Sequence, residues 1–408
     1  MEYESLNKLF YKNPDCYEDI YRKRFQSEDT IHLDFEVHGN PAFLCPNAEM
    51  WQIIFRIQRV NNQICKVRWS QTLPQSALDQ FTARCLVDEI VLTNDIEGVN
   101  STRKEIREVL DKMSCSDTRV RKRFQGLISK YVRLQSDDRV PLSNCQNVRD
   151  LYDELVLPEV LDENPENEPD GVLFRKGPVS VLNTVQKEIH RGILPEARII
   201  DAMERALRFL NKEDINPFIR ISAFHYLFGY IHPFYDGNGR TSRFISSYLL
   251  SREVDPLIGY RLSYTIKENL KKYYDSFKIC NDTRSKGDIT PFILMFLEII
   301  EETMSQLAEA LEERCHDFRF YTNCMSQDEL LSNEKYIKVA FLLIQAALFS
   351  ADGISNRELQ QYAEISYKTL RNRLDKIAEK GLLRSNKVGK EKFYQLDLDV
   401  LAAMCSDT

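Results

Sequence analysis

The sequence predicts a mainly α-helical bundle, and three observations lead to that fold class. Glycine and proline are sparse, at 14 residues each in 408, and windows rich in β-branched residues are short. Residues 199–210 carry apolar side chains at three- and four-residue spacing, which is the period of an amphipathic helix. Residues 219–231 and 242–251 are apolar almost all round, as helices are at the buried centre of a bundle.

Length and composition limit the class of protein. A chain of 408 residues is too long for one hydrophobic core, so we expect two or three domains. With 43% apolar and 29% charged residues, it has the composition of an ordinary globular protein. The net charge of −7 excludes a molecule that binds polyanions over its whole surface, so any contact with nucleic acid requires a local basic patch.

The start of the chain and its cysteines predict a cytoplasmic localisation. No stretch reaches the roughly 18 apolar residues of a membrane span. Residues 1–5 lack the basic start and the apolar run of a signal peptide. None of the ten cysteines forms a C-x-x-C pair, which argues against a structural zinc site. We therefore expect reduced thiols and no membrane partner.

One segment interrupts the helical pattern. Residues 162–171 are acidic and rich in turn-forming residues, and residues 172–182 combine β-branched and turn residues. This pattern predicts a short strand or hairpin. A small hairpin within a helical domain is either a connection or a flap over a site.

The last part of the chain, residues 331–408, is predicted to be a separate domain. Helices are expected at residues 336–348, 355–363 and 367–380, and alternating apolar and basic residues at 382–396 indicate a hairpin. Helix, helix, turn, helix and hairpin in this order are typical of a winged helix-turn-helix domain. Capping and stop residues support these bounds: Ser355 with Glu358, Ser366, and Gly381.

The densest chemistry lies in a twelve-residue motif, HPFYDGNGRTSR, at residues 232–243. Gly237 and Gly239 flank Asn238, and the freedom of glycine lets successive backbone N–H groups turn toward one point, which forms a nest for anions. A helix predicted at residues 240–250 begins directly afterwards, and its positive N-terminal end faces the same point.

Charged residues complete the motif. Arg240 and Arg243 lie three apart on one helix face, where guanidinium groups can bind phosphate oxygens. Asp236 is a lone carboxylate, which suffices to anchor Mg²⁺ when phosphates and water supply the other ligands. The His232 imidazole can accept a proton from an attacking hydroxyl. Together they predict phosphoryl or nucleotidyl transfer, and the alternative is a glycine-rich helix cap with a packing histidine.

This motif resembles the Fic motif, HPFx[DE]GNGRxxR, at every defined position. The resemblance covers about half of the chain, since residues 223–232, the pair Tyr273 and Tyr274, Asn281 and residues 287–292 also match. It implies a Fic-type helical bundle with a small β-hairpin flap. It also implies a protein adenylyltransferase, which transfers AMP from ATP to a Ser, Thr or Tyr hydroxyl of a target protein with Mg²⁺ as cofactor.

The resemblance assigns roles within the motif. His232 is the general base and Asp236 holds Mg²⁺. The nest binds the α- and β-phosphates of ATP, and Arg240 and Arg243 bind the outer phosphates, with Arg243 on the γ-phosphate. The residues implied to bind ATP are Asp236, Gly237, Asn238, Gly239, Arg240, Thr241, Arg243, Tyr273, Tyr274 and Asn281.

The resemblance also implies two surfaces around the phosphates. Tyr273, Tyr274 and Asn281 would lie around the nucleoside, and core packing is the alternative for the two tyrosines. The flap would align a target segment by backbone pairing, as in strand addition. Its residues would be Val179, Ser180, Val181 and Leu182.

The transferred group is predicted to be AMP. Family members that transfer phosphate have lysine in place of the second glycine of the loop. Here Gly239 and Arg243 are both present, which resembles the members that seat ATP with its α-phosphate facing the base. Phosphate transfer, UMP transfer and removal of AMP are the alternatives on the same fold.

Residues 93–98, TNDIEG, fit the family's inhibitory signature, [ST]xxxE[GN]. A glutamate at a helix end can pair with Arg243 and repel phosphate, so the resemblance implies that Glu97 inhibits ATP binding in cis. The same glutamate could position a water for removal of AMP. The alternative is an exposed glutamate at the end of an ordinary helix. The inhibitory helix is expected near residues 85–98, with three apolar residues spaced to dock it: Leu86, Ile90 and Val91.

A basic face is predicted in the last domain. Residues 366–396 contain nine Lys and Arg against three acidic residues, a local balance of +6 in a chain of net charge −7. Lys368 and Arg371 are placed to face a DNA major groove, with residues 387–392 as the wing. The alternative is a solvated basic face on a protein-interaction or dimerisation module.

We therefore predict an N-terminal helical region at residues 1–80, a Fic core at 81–300, a helical connector at 301–330, and the winged helix. The predicted function is transfer of AMP to a target protein, with self-modification as a side activity. DNA and a second copy of the chain are the further partners left open. The non-enzymatic alternative is a DNA-binding regulator whose core only senses nucleotide.

Overall fold

Helices dominate the structure, as the sequence predicts. The computed structural model describes residues 3–69, 73–114, 123–136, 138–182, 188–350, 352–388 and 391–406. The chain divides into two compact units, one of residues 1–61 and 86–305 and the other of residues 62–85 and 306–408. The four-part division expected from the sequence stays a prediction. Helix Thr290–Gln327 runs without interruption through its boundary at residue 300.

In chain order, the helices that begin before residue 300 are α1 (Leu6–Lys12), α2 (Pro14–Phe25), α3 (Ala48–Trp69), α4 (Gln75–Ile96), α5 (Arg103–Ser114), α6 (Gln125–Val132), α7 (Cys145–Leu155), α8 (Leu157–Glu163), α9 (Glu196–Leu210), α10 (Pro217–Ile231), α11 (Asn238–Glu253), α12 (Leu262–Glu268), α13 (Leu270–Cys280) and α14 (Thr290–Gln327). The strands of the same stretch are β1 (Ile31–Val37), β2 (Asn40–Leu44), β3 (Ser180–Leu182) and β4 (Glu188–Arg191).

Two helices, α10 and α11, form the centre of the first unit. Nearly all of their side chains are buried, on every face. α10 packs against both α9 and α11, and α9 buries the apolar stripe that its periodicity predicts. Burial on all sides is what an apolar sequence without a polar face requires, so the expectation for residues 219–231 and 242–251 is confirmed.

An N-terminal hairpin was missed by the sequence prediction, which expected only helices in residues 1–80. β1 and β2 pair antiparallel, with Val37 opposite Asn40. His38 and Gly39 between them have φ of 50° and 74°, as a two-residue turn of type I′ requires. The signal was present in the sequence, because β1 alternates exposed and buried residues along its length.

The flap hairpin is shorter than residues 172–182 suggested. Only its last three residues form a strand, β3, and the partner strand β4 comes later in the chain. Ser180 lies opposite Arg191 and Val181 opposite His190. Residues 172–179 form bends and irregular backbone instead, which fits their content of Gly and Pro.

The helix that carries Glu97 is tied to the core by a buried carboxylate. Glu89 of α4 is fully buried and accepts hydrogen bonds from Ser263, at 2.9 Å from the backbone N–H and at 2.6 Å from the hydroxyl. Tyr131 Oη lies 3.4 Å from the same carboxylate. Burial raises the pKa of Glu89 to about 7, although the bonds from Ser263 act in the opposite direction.

Replacing Glu89 with glutamine is expected to change how stability depends on pH. The pKa in the folded state lies above the ordinary value of 4.5, so Glu89 stabilises the fold below pH 4.5 and that contribution is lost as pH rises through 7. The loss is about 3 kcal/mol in the free energy of unfolding. Urea unfolding at pH 5 and pH 8 measures this loss. The free energy of unfolding of the variant should increase relative to that of the wild type as pH rises. An equal difference between the two proteins at both pH values would contradict this assignment.

The second unit contains α15 (Ile337–Phe349), α16 (Asn356–Ala363), α17 (Tyr367–Glu379), α18 (Leu398–Ser406) and the strands β5 (Ile354–Ser355), β6 (Leu383–Val388) and β7 (Glu391–Leu396). The strands form an antiparallel sheet in the order β5-β7-β6. Ser355 and Glu358 form the expected capping box, and Ser366 caps α17. The winged-helix assignment stays a prediction, and residues 389–390 of the expected wing lie outside the described residues.

Two further expectations concern the chain as a whole. In the part of the chain that the structure describes, no cysteine forms a disulfide. Among the same residues, none of the helices combines the length and the apolar character that crossing a bilayer demands.

Candidate active site

The predicted phosphate loop connects α10 to α11. α10 ends where His232 adopts a left-handed backbone, with φ of 52°, and donates its N–H to Phe228 O at 2.9 Å. Gly237, with φ of 76°, is the N-cap of α11. That left-handed conformation favours glycine, which explains one of the two glycines of the motif.

Asn238 holds the loop closed from inside. Its side-chain oxygen accepts the N–H of Phe234 at 3.0 Å, and its amide donates to Phe234 O at 2.8 Å. Phe234 is fully buried and stacks on Tyr152, with 3.6 Å between ring centroids. The first N–H groups of α11, which have no helical carbonyl to bond, are therefore held in one place.

A cavity of about 300 Å³ lies at this helix end. Eight predicted site residues line it, namely Glu97, His232, Asn238, Gly239, Arg243, Tyr273, Tyr274 and Asn281. The other lining residues are Ile96, His190, Gly229, Ser242 and Phe277. The structure thus brings residues from distant parts of the sequence together at the motif.

Glu97 and Arg243 pair in this cavity, as the sequence predicts. Arg243 Nη1 donates to Glu97 Oε1 at 2.7 Å. Thr93, one turn earlier in α4, accepts from Arg243 twice: its hydroxyl from Nε and its carbonyl from Nη2, both at 2.8 Å. All three guanidinium nitrogens of Arg243 therefore donate hydrogen bonds to Thr93 or Glu97 at the end of α4.

The Glu97 carboxylate also lies against the helix end. A Cβ atom added to Gly239 would lie only 2.0 Å from Glu97 Oε1, so the absence of a side chain at Gly239 is what permits this approach. A carboxylate at a helix N-terminus satisfies its positive end, as a phosphate would. Glu97 therefore occupies the space that an anion bound to α11 would need.

Electrostatics maintain this pair at neutral pH. Burial alone would raise the pKa of Glu97, yet Arg243 outweighs it and the pKa lies below the ordinary value. Burial likewise disfavours the charge on Arg243, while Glu97 raises the pKa of the guanidinium. Both groups are charged throughout the neutral range.

Thr93→Val is expected to weaken the contact by less than removal of Glu97 does. Valine keeps the shape of the side chain but leaves Arg243 Nε without its hydroxyl acceptor, a loss of about 1 kcal/mol, or roughly fivefold. ATP affinity measured by calorimetry should rise by that factor, whereas Thr93→Ser should match the wild type. Equal affinities for the serine and valine variants would contradict a role for the hydroxyl.

His232 faces the cavity with an unprotonated ring. Burial lowers the pKa of its imidazole to about 4, which the nearby charge of Glu97 only partly offsets. His190 and Arg175 contribute to the same lowering. A neutral imidazole is the form that accepts a proton.

The titration of His232 is therefore expected to lie well below that of an ordinary histidine. NMR spectra of histidine-labelled protein, assigned with a His232→Ala variant, should show no protonation of His232 between pH 6 and pH 8. Free histidine in the same buffer provides the comparison. A midpoint for His232 near 6.5 would contradict the environment described above.

Four predicted residues lie at the loop but not among those lining the cavity: Gly237, which caps α11, and Asp236, Arg240 and Thr241. Asp236 accepts Gly237 N–H at 2.5 Å and lies 3.8 Å from Arg240 Nη2. Arg240 is fully buried, and its Nε and Nη2 have no hydrogen-bond partner among the described residues. Thr241 is buried, and its hydroxyl donates to Gly237 O within the helix. Their ATP contacts stay predictions.

The residues expected around the nucleoside have protein partners as well. Tyr273 is buried and its hydroxyl lies 2.7 Å from His225 Nε2, so this tyrosine also packs in the core. Asn281 accepts a hydrogen bond from Tyr226 at 2.7 Å. Tyr274 is half-buried. All three nevertheless line the cavity, so core packing and a nucleoside surface are combined here.

The predicted flap residues lie at the hairpin β3–β4. Val179 precedes the strand, and its carbonyl accepts Gly192 N–H at 3.1 Å. Ser180 begins β3, while the side chains of Val181 and Leu182 and the whole of residues 183–187 lie outside the described residues. Alignment of a target segment by these residues stays a prediction.

Three residues of the site were not assigned a role from the sequence. Thr93 is the first residue of the inhibitory signature, and this position in the signature could have indicated its role. His190 of β4 lines the cavity, and its Nε2 lies 2.6 Å from Tyr230 O. Arg175 donates to His232 O at 2.9 Å. No local pattern marks His190 or Arg175, because only the fold brings them to the loop.

The sequence around the loop is similar to that of known proteins. A model of the Fic/DOC family matches residues 146–250. A protein adenylyltransferase Fic of Drosophila erecta is 38% identical over 105 residues, which is 25% of this chain and 19% of that protein. One of Drosophila ananassae is 35% identical over 117 residues, 28% of this chain and 22% of that protein. The chain thus spans about a fifth of the length of the curated relatives it matches.

A solved structure extends the similarity of fold. A Fic family protein from Desulfovibrio desulfuricans G20 superposes with a TM-score of 0.52 at 19% identity, over 86% of this chain and 96% of that one. The match to the family model begins in α7 and ends in α11, so it includes the loop from His232 to Arg243. Glu97 and the residues of α13 lie outside that match.

Proposed function

We propose, from the premise that residues 146–250 form a Fic/DOC domain, that this protein transfers AMP from ATP to a hydroxyl group of a target protein. The observation that carries the proposal is the single cavity in which His232, the N-terminal end of α11 and Arg243 meet. A base, an anion-binding helix end and a guanidinium within one cavity are the groups that nucleotidyl transfer requires.

The phosphates of ATP are proposed to bind where Glu97 now lies. The N–H groups at Asn238 and Gly239 would receive the α- and β-phosphates, and the open side of Gly239 lets them approach the backbone. Arg243 would exchange Glu97 for the γ-phosphate, which it can bind with the same donors. The unpartnered buried N–H groups of Arg240 are suited to a further anionic oxygen.

The chemical step is proposed to be attack on the α-phosphorus. The target's hydroxyl oxygen forms a bond to that phosphorus while the bond to the β-phosphate oxygen breaks, which releases pyrophosphate. The hydroxyl proton passes to the His232 imidazole, whose lowered pKa keeps it neutral and ready to accept. Serine, threonine and tyrosine hydroxyls are the proposed acceptors, including those of the protein itself.

Asp236 is the residue that would hold Mg²⁺. It keeps a third of its side-chain surface exposed, and among the described residues only Gly237 N–H donates to its carboxylate. One exposed carboxylate beside an anion site fits Mg²⁺, which takes most of its ligands from phosphates and water. When bound, the ion would neutralise charge on the phosphates and the leaving pyrophosphate.

The resting protein is proposed to be inhibited by Glu97. Its carboxylate engages Arg243 and lies against Gly239, so ATP must displace it or bind with its phosphates out of place. The proposal therefore expects weak activity in the native chain. Transfer of phosphate or UMP and removal of AMP are the rival reactions on this site, and cytoplasmic localisation stays a prediction.

Labelled ATP distinguishes these reactions. The Glu97→Gly variant is incubated with Mg²⁺ and ATP labelled at either the α- or the γ-phosphate, and label on protein is measured. Asp95→Ala is the matched control, because Asp95 is a neighbouring carboxylate whose partner is Lys267 at the surface. The proposal expects α-label on protein from the Glu97 variant. Label from the γ-position alone would refute AMP transfer.

A second candidate function, DNA binding, is favoured by the distribution of ion pairs in the second unit. Lys376, Lys380 and Arg384 pair with acidic residues. Lys368 and Arg371 on the first turns of α17 form no ion pair with the described residues and are exposed. Unpaired charge at the start of this helix suits phosphate contacts.

A gel-shift titration of the full chain with a DNA duplex tests this candidate. Lys368→Glu with Arg371→Glu should weaken binding and reduce its dependence on salt, because each phosphate contact releases a counterion. Lys376→Glu, which changes a charge already paired with Glu379, is the matched control. Binding that is absent at low salt would leave the module as a protein-interaction domain.

A further inference from the structure

Arg175 is a charged side chain that is wholly buried without an acidic partner. It is 0% exposed, and no carboxylate within the described ranges lies at salt-bridge distance from it. Burial lowers the pKa of its guanidinium to about 10, so it is still charged at neutral pH. A buried charge is unfavourable unless hydrogen bonds replace the water it has lost.

The hydrogen bonds that replace water join three segments of backbone. Arg175 Nε donates to His232 O at 2.9 Å, Nη1 to Gly177 O at 2.6 Å, and Nη2 to Ile193 O at 3.1 Å. The Arg175 N–H donates in addition to Pro233 O at 3.2 Å. Gly177 precedes β3 and Ile193 follows β4, so one side chain connects both ends of the hairpin to the histidine.

The close fit around this guanidinium depends on a glycine. A Cβ atom on Gly192 would lie 2.2 Å from Arg175 Nη2 and 3.1 Å from His232 Cβ. No other residue can therefore occupy that place while Arg175 and His232 keep their positions. Gly192 also bonds Val179 across the hairpin, which links the same contact to the predicted flap.

The backbone conformation of His232 requires stabilising contacts from its surroundings. Its left-handed backbone is unfavourable for a residue with a side chain, and the conformation must be maintained by its surroundings. A carbonyl held by a rigid, buried guanidinium restricts the peptide that follows His232. The backbone from which the imidazole projects is then fixed by the same contact.

We propose that Arg175 is a positioning residue, which holds His232 and both ends of the β3–β4 hairpin in one arrangement. It does not touch ATP or the target. This inference rests on the proposed function, in which His232 is the base and the hairpin receives the target segment. Arg175 would then determine both the position of the base and the position of the hairpin that binds the target segment.

The charge of Arg175 gives the proposal a measurable signature. Glu97 at the end of α4 raises the pKa of His232, whereas His190 of β4 and Arg175 lower it, and the backbone of Gly229 bonds the ring. Removing the guanidinium must therefore raise the pKa of His232. That shift reports the guanidinium charge beside His232, whereas a loss of kcat in Arg175→Lys, which keeps the charge, reports the positioning.

The test compares Arg175→Met and Arg175→Lys in the full chain. Arg149→Met is the matched control, since Arg149 also donates to a carbonyl of this segment, Leu173 O, but does not contact His232. NMR titration of His232 should show a higher pKa in Arg175→Met and little change in Arg175→Lys, which keeps the charge. This measurement requires no catalysis, so it is decided even if the protein transfers no AMP.

Activity supplies the second measurement, made in the Glu97→Gly background. Both Arg175 variants should lose about 10- to 100-fold in kcat with ATP affinity unchanged, because lysine cannot reach three carbonyls at once. An unchanged His232 titration in Arg175→Met, or a loss of kcat equal to that of the control, would overturn the proposal. If the methionine variant does not fold, the lysine variant decides by its ratio of kcat to ATP affinity.

Discussion

Replacing His232 is expected to abolish AMP transfer while ATP binding persists. Among the described residues that line the cavity, His232 and His190 carry the two imidazoles, and His190 Nε2 lies 2.6 Å from Tyr230 O. Loss of a general base costs about 10²- to 10⁴-fold in rate. The groups proposed to bind phosphate, the helix end and Arg243, are untouched by the substitution. ATP affinity should therefore stay within about twofold of the parent.

Two variants make this result interpretable. His232→Ala forces alanine into a left-handed backbone, whereas His232→Asn tolerates that conformation and still lacks a basic nitrogen. Both are measured in the Glu97→Gly background, by initial rates with α-labelled ATP and by calorimetry for binding. His316→Ala, at an exposed residue of α14 outside the cavity, is the control. Parental rates in either His232 variant would remove it as the base.

Replacing Glu97 with glycine is expected to raise ATP affinity and transfer strongly. The substitution frees Arg243 Nη1 and opens the space against Gly239, both of which a phosphate would use. A charge-assisted hydrogen bond contributes roughly 1.5–3 kcal/mol, which corresponds to about a 10- to 100-fold gain in affinity. Glu97→Gln, which keeps the shape but not the charge, should give a smaller gain. No change with either variant would mean that inhibition lies elsewhere.

Mild acidification is not expected to relieve the inhibition in the way that Glu97→Gly does. The pKa of Glu97 lies below its ordinary value of 4.5, so the contact is present above pH 4.5 and is lost only as pH falls through the lowered value. Native protein should therefore stay inhibited down to about pH 5. Activity that appears between pH 7 and pH 5 would indicate a different release mechanism.

The chemistry of the loop could be predicted from the sequence because its geometry is local. Gly237 needs its left-handed backbone, and Asn238 bonds within four residues of itself, so twelve consecutive residues determine most of the loop. The pairing of Glu97 with Arg243 spans 146 residues, yet a signature for each partner was available. The structure contains that pair, while the inhibition it implies stays a prediction.

Other parts of the site depend on packing that no local pattern describes. Arg175 reaches His232 because residues 171–179 form bends rather than a strand, and His190 reaches the cavity through the pairing of β3 with β4. The orientation of Arg240 toward Asp236 could not be foreseen from spacing alone. In the fold, uniform burial identified α10 and α11, but β1 and β2 were missed because a short amphipathic hairpin carries a weak signal among helices.

Intact-mass spectrometry of the Glu97→Gly protein shows which group this cavity transfers. The variant is incubated with Mg²⁺ and ATP, alone and with cell lysate, beside the same variant that also carries His232→Ala. We expect the protein mass to increase by adenylyl groups, on serine, threonine or tyrosine, only when His232 is present. Mass increases by phosphoryl groups alone, or adenylyl groups that form equally without His232, would contradict it.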